Sequence, residues 1–220
     1  MRLRKDLSLD RFQLIGDLVR GKRVLDIGCV EHNAANAERN FWLHEYVRRS
    51  AAETLGLDAS TEQIQILQQK GYNVICADAT AFQLDRIFDM VVAGETLEHL
   101  ANPGGFLQCA RKHLTPGEGR LLLTTPNANC LAYFLENLAL GHELDNEDHI
   151  ALYSPRTITS LLKRYGFQVE QFIFIAQSTA YLHDNALTKG LVHLKQAGQV
   201  TLGLLRPSLC QHFLTMAKPA

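Results

Sequence analysis

The chain has 220 residues, of which 46% are hydrophobic and 20% are charged, and its formal net charge is -1. This length and composition predict one globular domain with a sizeable core, and the scattered basic residues give no indication of nucleic-acid binding. We expect neither a signal peptide nor a membrane span, because no apolar run approaches the required length.

The first part of the chain alternates between amphipathic stretches and short apolar runs. Apolar residues near helical spacing, from Leu7 to Val19, predict a helix ahead of the first strand. Strand-like runs follow at 23–28, 54–58, 73–78, 88–94 and 120–126. Helical patterns lie between most of them, at 40–51, 60–71 and 102–114. Short strands rich in Val, Ile and Leu that alternate with helices indicate a parallel sheet covered on both faces.

The second part continues this scheme with a well-delimited helix and two further strands. Ser154 is suited to cap a helix, Pro155 fits its first turn and Gly166 can close it in a left-handed conformation. We predict a strand at 167–177 and a last strand at 208–218, which we place at a sheet edge beside it.

Two further helices are predicted on the less regular segments. One lies within 187–198. The other covers 128–141, where apolar residues recur at helical spacing and most simply belong to the core. A lid over an apolar substrate and a dimer contact are the alternatives for this second helix.

Acidic residues stand at the carboxyl ends of four predicted strands: Asp26, Asp58 and Asp78 lie at the ends of the first three, and Glu95 follows the fourth. The carboxyl ends of parallel strands share one edge of an open sheet, where ligands bind. An acid at the position of Asp58 can accept both hydroxyls of a ribose, although it can also cap the helix that begins at Thr61. Asp78 can receive an adenine amino group, and loop capping is the alternative there.

Six ordered blocks carry a family resemblance over about residues 12–177. They are VLDIGC, LGLDAS, CADAT, FDMVVAGETLEHL, NPGGFLQCARKHLTPGEGRLLLTTPN and HIALYSPRTITSLLKRYGF. Together they resemble class I S-adenosylmethionine-dependent methyltransferases, and they are most similar to the branch that contains ubiquinone-type O-methyltransferases. The resemblance implies an α/β, Rossmann-like fold with a mostly parallel seven-stranded sheet, an antiparallel last strand and helices on both faces. It also implies S-adenosylmethionine as the cofactor and S-adenosylhomocysteine as its product.

The resemblance assigns the cofactor contacts to residues at the ends of the first four strands. They are Asp26, Gly28, Cys29, Asp58, Ala59, Asp78, Ala79, Ala93, Gly94 and Glu95. The chain departs from the family's GxGxG pattern, because Gly28 is followed by Cys29, Val30, Glu31 and His32. S-adenosylmethionine has no phosphate to approach a helix N-terminus, so one glycine can suffice. The segment 29–41 is long and polar, so Glu31, His32 or Asn33 can contact the cofactor or close over it.

Methyl transfer needs alignment of the acceptor, exclusion of water and, for a hydroxyl, a base. His99 is the candidate base, and Glu95, four residues earlier, can orient its ring. Packing or capping at the end of that turn is the alternative for His99. His149 and Tyr153 are candidate substrate contacts. We expect no metal, because the acidic segment around His149 has no clear ligand spacing and Ala93 and Gly94 stand where catechol-type enzymes place an Asp.

We therefore expect a single methyltransferase domain over 1–220, with the cofactor half at 21–126 and substrate-side elements at 1–20, 127–153 and 178–206. The expected function is O-methylation of a small-molecule acceptor. A non-catalytic partner subunit or ligand sensor is the main alternative, which an exposed apolar patch on 129–140 would favour, and an NAD-dependent dehydrogenase is the other. Five cysteines without a CxxC pair indicate a reducing, cytoplasmic setting. A homodimer is compatible with the sequence.

Overall fold

A computed structural model describes residues 6–8, 10–30, 42–141, 146–176, 197–198, 200–201 and 203–220. Its strands are Asp6–Ser8 (β1), Arg23–Ile27 (β2), Glu53–Asp58 (β3), Val74–Cys76 (β4), Met90–Gly94 (β5), Arg120–Pro126 (β6), Phe167–Ile175 (β7) and His212–Pro219 (β8). The helices that flank them are Arg11–Leu18 (α1), Leu43–Ser50 (α2), Thr61–Gln69 (α3), Pro103–Lys112 (α4), Leu131–Leu140 (α5) and Pro155–Arg164 (α6).

The strands form one mixed sheet in the order β1-β7-β8-β6-β5-β2-β3-β4. Strands β2 to β6 run parallel, and β8 is antiparallel to both of its neighbours, β6 and β7. The strand order reverses between β2 and β5, because the chain moves outward from β2 through β3 to β4 before it returns to β5. This reversal places the crevice used by ligands in open α/β sheets beyond the carboxyl ends of β2 and β5.

The alternation of side chains along the strands divides the core into two layers. Leu25 and Ile27 pack with residues of α4 and α6 on one face of the sheet. Val24 packs with Phe12 and Ile15 of α1 and with residues of α2 on the other face. The prediction of a sheet covered on both faces is therefore confirmed for the described residues.

Two predictions about the ends of the chain were wrong. The helix predicted from Leu7 begins only at Arg11, and Leu7 lies in β1, which pairs in parallel with β7 and adds an eighth strand to the seven expected. The last strand pairs with β7 as predicted but is not at an edge, because β6 covers its other side. Phe213, Leu214 and Ala217 are fully buried in β8, as expected for an interior strand.

The two helices of the second part behave differently from one another. The predicted limits of α6 are confirmed, since the Ser154 side chain accepts a hydrogen bond from the backbone of Thr157 and Gly166 has a φ of 76°. The prediction that the apolar residues of α5 belong to the core was wrong. Its apolar face is exposed to solvent, by 62% for Phe134, 51% for Leu135 and 72% for Leu138.

Several expectations concern segments that the structure does not describe or describes only in part. Glu31, His32 and Asn33 lie outside the described residues, and so does most of the helix predicted at 187–198. Within the described part of the chain, no helix has the length and apolar character needed to cross a membrane. All five cysteines are free thiols, as the sequence indicated.

Candidate active site

The turn after β2 is built around Gly28. This residue has a φ of 77°, a conformation that glycine adopts without steric cost. A Cβ atom at this position would lie 2.5 Å from Oγ1 of Thr96. The Thr96 hydroxyl is in turn within hydrogen-bond distance of the carbonyls of Ile27 and Gly94, at 3.2 and 3.1 Å. Gly28 therefore allows the carboxyl ends of β2 and β5 to approach each other closely.

Hydrogen bonds to the end of β3 fix the turn at residues 28–30. The backbone amides of Gly28 and Cys29 donate to the carbonyl of Leu57, at 2.8 and 3.3 Å. The next amide, that of Val30, donates to Oδ2 of Asp58 at 3.1 Å. Three successive amides, those of residues 28–30, are thus satisfied by β3, so this part of the turn is fixed without further glycines.

The side chain of Cys29 is buried in a small apolar cluster next to this turn. The indole Nε1 of Trp42 donates to the Cys29 carbonyl at 2.7 Å, which ties the turn to the residue before α2. Burial, together with the charges of Asp26 and Asp58, raises the pKa of the Cys29 thiol far above its usual range. Cys29 is therefore a neutral packing residue, and only its backbone faces other groups of the turn.

Asp58 combines a structural role with spare acceptor capacity. Its Oδ1 accepts from the backbone of Ser60 at 3.0 Å, and its Oδ2 accepts from Val30. A carboxylate offers about four acceptor positions, so about two remain. The side chain is partly exposed, and the adjacent Ala59 is exposed. These features fit the two hydroxyls of a ribose, and they show that organising the start of α3 and binding a ligand are compatible roles for Asp58.

Asp78 lies two residues beyond the end of β4, not at the end of the strand as predicted. Its Oδ1 accepts from the backbone amide and the hydroxyl of Thr80, at 2.7 and 2.8 Å. These hydrogen bonds lower the pKa of Asp78, so the carboxylate is ionised. The loop-capping role is thus present, while Oδ2 is available for an adenine amino group and the neighbouring Ala79 is partly buried.

Asp26 forms a buried pair that the sequence analysis did not anticipate. Its Oδ2 lies 2.7 Å from Nδ1 of His44 on α2, and the two residues are 2% and 1% exposed. A Cβ atom at Gly56 of the adjacent strand would lie 2.8 Å from the His44 ring, so Gly56 provides space for this pair. Asp26 therefore has a buried, structural contact directly before the turn at Gly28. The one signal in the sequence was a histidine within an otherwise apolar helix face.

Glu95, directly after β5, occupies the centre of the site. It has a φ of 48°, which is unusual for a residue with a side chain. Its carboxylate lies 3.1 Å from Nη1 of Arg11 on α1 and 2.9 Å from Nδ1 of His212 on β8. Burial alone would raise the pKa of Glu95, but its two basic neighbours, His212 and Arg11, outweigh it and hold the pKa well below its usual range. Glu95 is therefore an ionised carboxylate inside the site.

The two residues before Glu95 form the floor beside it. Ala93 is fully buried, and Gly94 is also buried. A Cβ atom at Gly94 would lie 2.4 Å from Cδ2 of Leu43 on α2. Gly94 therefore allows α2 to pack closely against the end of β5.

The predicted pairing of Glu95 with His99 is replaced by other contacts. The Glu95 carboxylate lies against Arg11 and His212, as described above. Nδ1 of His99 lies 3.1 Å from the carbonyl of Asp148, and the His99 ring makes an edge contact with that of His149, with 4.6 Å between centroids. The reason is local, because Leu97–His99 forms a tight 3₁₀ turn instead of an α-helical one, so residues four apart do not share a face.

This turn brings together three side chains that can bind a metal ion. Ligand atoms of Glu98, His99 and His149 all lie within 4.8 Å of one another. Glu98 is fully buried, and within the described residues neither of its carboxylate oxygens has a hydrogen-bond partner. Burial and the negative charge of Glu95 raise the pKa of Glu98 to about 9. One carboxylate and two imidazoles suit a divalent cation, which the sequence analysis did not expect.

Tyr153, a predicted substrate contact, belongs to the surroundings of this group. It is 9% exposed, and burial together with the charge of Glu98 raises the pKa of its hydroxyl. Its carbonyl accepts from the backbone of Ala128, which connects it to the segment after β6. The structure therefore places Tyr153 and His149 on the same side of the site as Glu98.

Comparisons with known proteins identify relatives of the chain. A sequence model of the methyltransferase domain family matches residues 2–172. The mitochondrial ubiquinone biosynthesis O-methyltransferase of Rattus norvegicus is 30% identical over 171 residues, which are 70% of this chain and 47% of that protein. The ubiquinone biosynthesis O-methyltransferase of Ralstonia nicotianae is 25% identical over 178 residues, which are 75% of this chain and 70% of that protein. The chain spans about half the length of the first of these relatives.

Solved structures share the fold. An S-adenosylmethionine-dependent methyltransferase from Archaeoglobus fulgidus superposes with a TM-score of 0.59 at 19% identity and covers 94% of each chain. An O-methyltransferase from a polyketide synthase of Brevibacillus brevis, solved with S-adenosylhomocysteine, has a TM-score of 0.57 at 20% identity, over 96% of this chain and 71% of that one. The predicted Rossmann-like methyltransferase fold is thereby confirmed, and these comparisons give no support to the dehydrogenase alternative.

Proposed function

The chain belongs to the class I S-adenosylmethionine-dependent methyltransferase family, and on that basis we propose that it transfers a methyl group from S-adenosylmethionine to an oxygen atom of a small molecule. The names of its relatives support oxygen as the acceptor atom. The reaction needs little covalent chemistry from the protein, because the cofactor's sulfonium is already an activated leaving group.

The observation that carries this proposal is the spare acceptor capacity of Asp58 beside the Gly28 turn. Asp58 is fixed by two backbone amides, so its remaining lone pairs have a defined direction for ribose hydroxyls. Asp78 and Ala79 lie next along the same edge and would hold the adenine. The backbone at Gly28, Ala93 and Gly94 would face the methionine portion of the cofactor.

The acceptor would lie between the methionine portion and the group formed by Glu98, His99 and His149. These three residues would hold a divalent cation, and such an ion would supply Lewis-acid polarisation of an acceptor hydroxyl. The unpartnered, buried carboxylate of Glu98 supports this arrangement, because a cation would relieve the cost of its burial. His99, predicted as the base, is better supported as a cation ligand, because its ring lies against His149 and close to Glu98.

The experiment that tests the proposal is a methyl-transfer assay with radiolabelled S-adenosylmethionine and a panel of phenols, amines and carboxylates. We expect transfer to phenolic hydroxyls, and loss of transfer in Asp58→Ala but not in Asp85→Ala, which removes an exposed carboxylate elsewhere. Transfer only to amines would refute the assignment of oxygen. Cofactor binding without transfer to any member of the panel would refute the proposed reaction for these acceptors.

A second candidate function is that of a non-catalytic partner subunit, and the exposed face of α5 favours it. Phe134, Leu135 and Leu138 present an apolar surface of a kind that marks contact sites. The same face would serve a homodimer or cover an apolar acceptor in the enzyme. Light scattering of the wild type and of Leu138→Glu separates the homodimer from the other arrangements, and the transfer assay separates enzyme from partner subunit.

The five free thiols support a cytoplasmic location for this activity, because a reducing compartment keeps unpaired cysteines reduced. Fractionation of cells that express the tagged protein would test the location. Recovery in an oxidising compartment, with disulfides formed, would refute it.

A further inference from the structure

A histidine from the last strand reaches the site from the far end of the chain. His212 is the first residue of β8, and its register partners are Pro126 on β6 and Ile175 on β7. Both partners are the last residues of strands that run towards the active-site edge. The antiparallel direction of β8 therefore places its first residue at the same edge as Glu95.

The two nitrogens of the His212 ring have different surroundings. Nδ1 is buried and lies 2.9 Å from Oε2 of Glu95, an ion-pair contact without regular hydrogen-bond geometry. The side chain as a whole is 22% exposed, so the exposed part of the ring is the part away from Nδ1. Among the residues that the structure describes, none forms a hydrogen bond or an ion pair with Nε2. An ionised carboxylate beside Nδ1 favours the tautomer that carries its proton there, which leaves Nε2 as a proton acceptor.

Arg11 completes this arrangement on the other side of the carboxylate. Its Nη1 lies 3.1 Å from Oε1 of Glu95, so each carboxylate oxygen faces a different basic group. The positive guanidinium favours the ionised form of Glu95, which then faces His212 through its second oxygen. Glu95 and Arg11 therefore act as positioning residues for the ring.

We propose that His212 is the general base that takes the proton of the acceptor hydroxyl, an inference that rests on the proposed function. The hydroxyl proton moves to Nε2 as the acceptor oxygen forms its bond to the methyl carbon. The bond between that carbon and sulfur breaks, and its electron pair stays on sulfur, which converts the sulfonium to the neutral thioether of S-adenosylhomocysteine. The proton then leaves the imidazolium for water, and no oxidant or reductant is required.

The charged and titratable groups near His212 come from several elements. Glu95 follows β5, Arg11 lies on α1, and Glu98 lies in the turn after Glu95 and is electrostatically linked to it. Tyr133 on α5 accepts a hydrogen bond from Gln211, the residue before His212, at 3.1 Å. Loss of activity at acid pH must therefore be assigned to His212 by substitution and not from the wild-type profile alone.

The test uses His212→Gln and two phenolic probes of different acidity, catechol and 4-nitrocatechol. General bases contribute about 100- to 10,000-fold, so we expect kcat with catechol to fall by that factor and its decline at acid pH to disappear. With 4-nitrocatechol at a pH where it is already ionised, we expect the variant to retain most of its activity. We expect Glu95→Gln to lower kcat less than His212→Gln does, because the base remains but its orientation is lost. We also expect Glu95→Gln to shift the pH at which kcat declines.

Binding of S-adenosylhomocysteine, measured by calorimetry, is the control for folding and cofactor affinity. We expect the affinity of His212→Gln to stay within twofold of the wild type. Equal losses with both phenols, or loss of cofactor binding, would assign His212 a structural role and overturn the proposal. If His212→Gln turned over catechol as fast as the wild type, the assignment of His212 as the base would also be overturned. If the wild type itself showed no turnover, the proposed function would be refuted.

Discussion

Replacement of Asp58 by Ala tests the placement of the cofactor most sharply among single substitutions. In the folded protein Asp58 accepts hydrogen bonds from Val30 and Ser60 and keeps acceptor positions for a ribose. A hydrogen bond to a charged acceptor contributes about 1.5–3 kcal/mol. At about 1.4 kcal/mol per tenfold change, its loss predicts affinity for S-adenosylhomocysteine that is weaker by about 10- to 100-fold.

The assay is calorimetric titration of Asp58→Ala, Asp58→Asn and Asp85→Ala with S-adenosylhomocysteine. We expect Asp58→Asn to lose less affinity than Asp58→Ala, because the amide keeps one acceptor oxygen for the Val30 amide. Asp85→Ala should match the wild type. Thermal unfolding without ligand separates a loosened loop from a lost ligand contact. Unchanged affinity in Asp58→Ala, with the protein folded, would refute the assignment of Asp58 to the ribose.

Three further predictions follow from the surroundings of other residues. Gly28→Ala should lower the free energy of unfolding in urea by about 1–3 kcal/mol more than Gly117→Ala does. Both glycines have a positive φ, but of the two only Gly28 lacks space for a Cβ atom. Equal losses in the two variants would refute the close approach of Gly28 to Thr96. Titration with Mn²⁺ should release heat in the wild type and not in Glu98→Gln, and equal heats in both proteins would remove Glu98 from the proposed cation site. Hydrogen bonds from Arg23 lower the pKa of Asp89 to about 2, below its value in the unfolded chain, so this carboxylate stabilises the fold above about pH 4 and loses that effect as the pH falls towards 2. The difference in melting temperature between wild type and Asp89→Asn should therefore shrink over that range, and a constant difference would contradict the assignment.

The central strands could be predicted from the sequence because burial on both faces leaves near-continuous apolar runs. The position of β8 could not, because an apolar run predicts burial but not which neighbours provide it. Its interior place results from pairing with β6 on one side and β7 on the other. The edge strand beyond β7 is β1, a three-residue strand that the sequence analysis did not separate from the following helix. Three residues within an amphipathic stretch carry too little periodicity to be distinguished from the helix that follows them.

The cofactor side of the site was more predictable than the catalytic side for a related reason. Asp58 and Asp78 follow strands in sequence, so the fold alone puts them on one edge. The partners of Glu95, by contrast, are Arg11 and His212, which come from opposite ends of the chain. Local spacing suggested His99 as the partner, and the 3₁₀ turn at Leu97–His99 invalidated that spacing.

The central claim is that a turn with one glycine, held by the end of β3, binds S-adenosylmethionine. The most direct measurement is calorimetric titration of the wild-type protein with S-adenosylmethionine and S-adenosylhomocysteine. The amides at Gly28, Cys29 and Val30 are already fixed to Leu57 and Asp58, so we predict micromolar binding of both ligands with a stoichiometry of about one. Absence of binding to either ligand by folded protein would contradict the claim and leave the non-catalytic partner subunit as the better account.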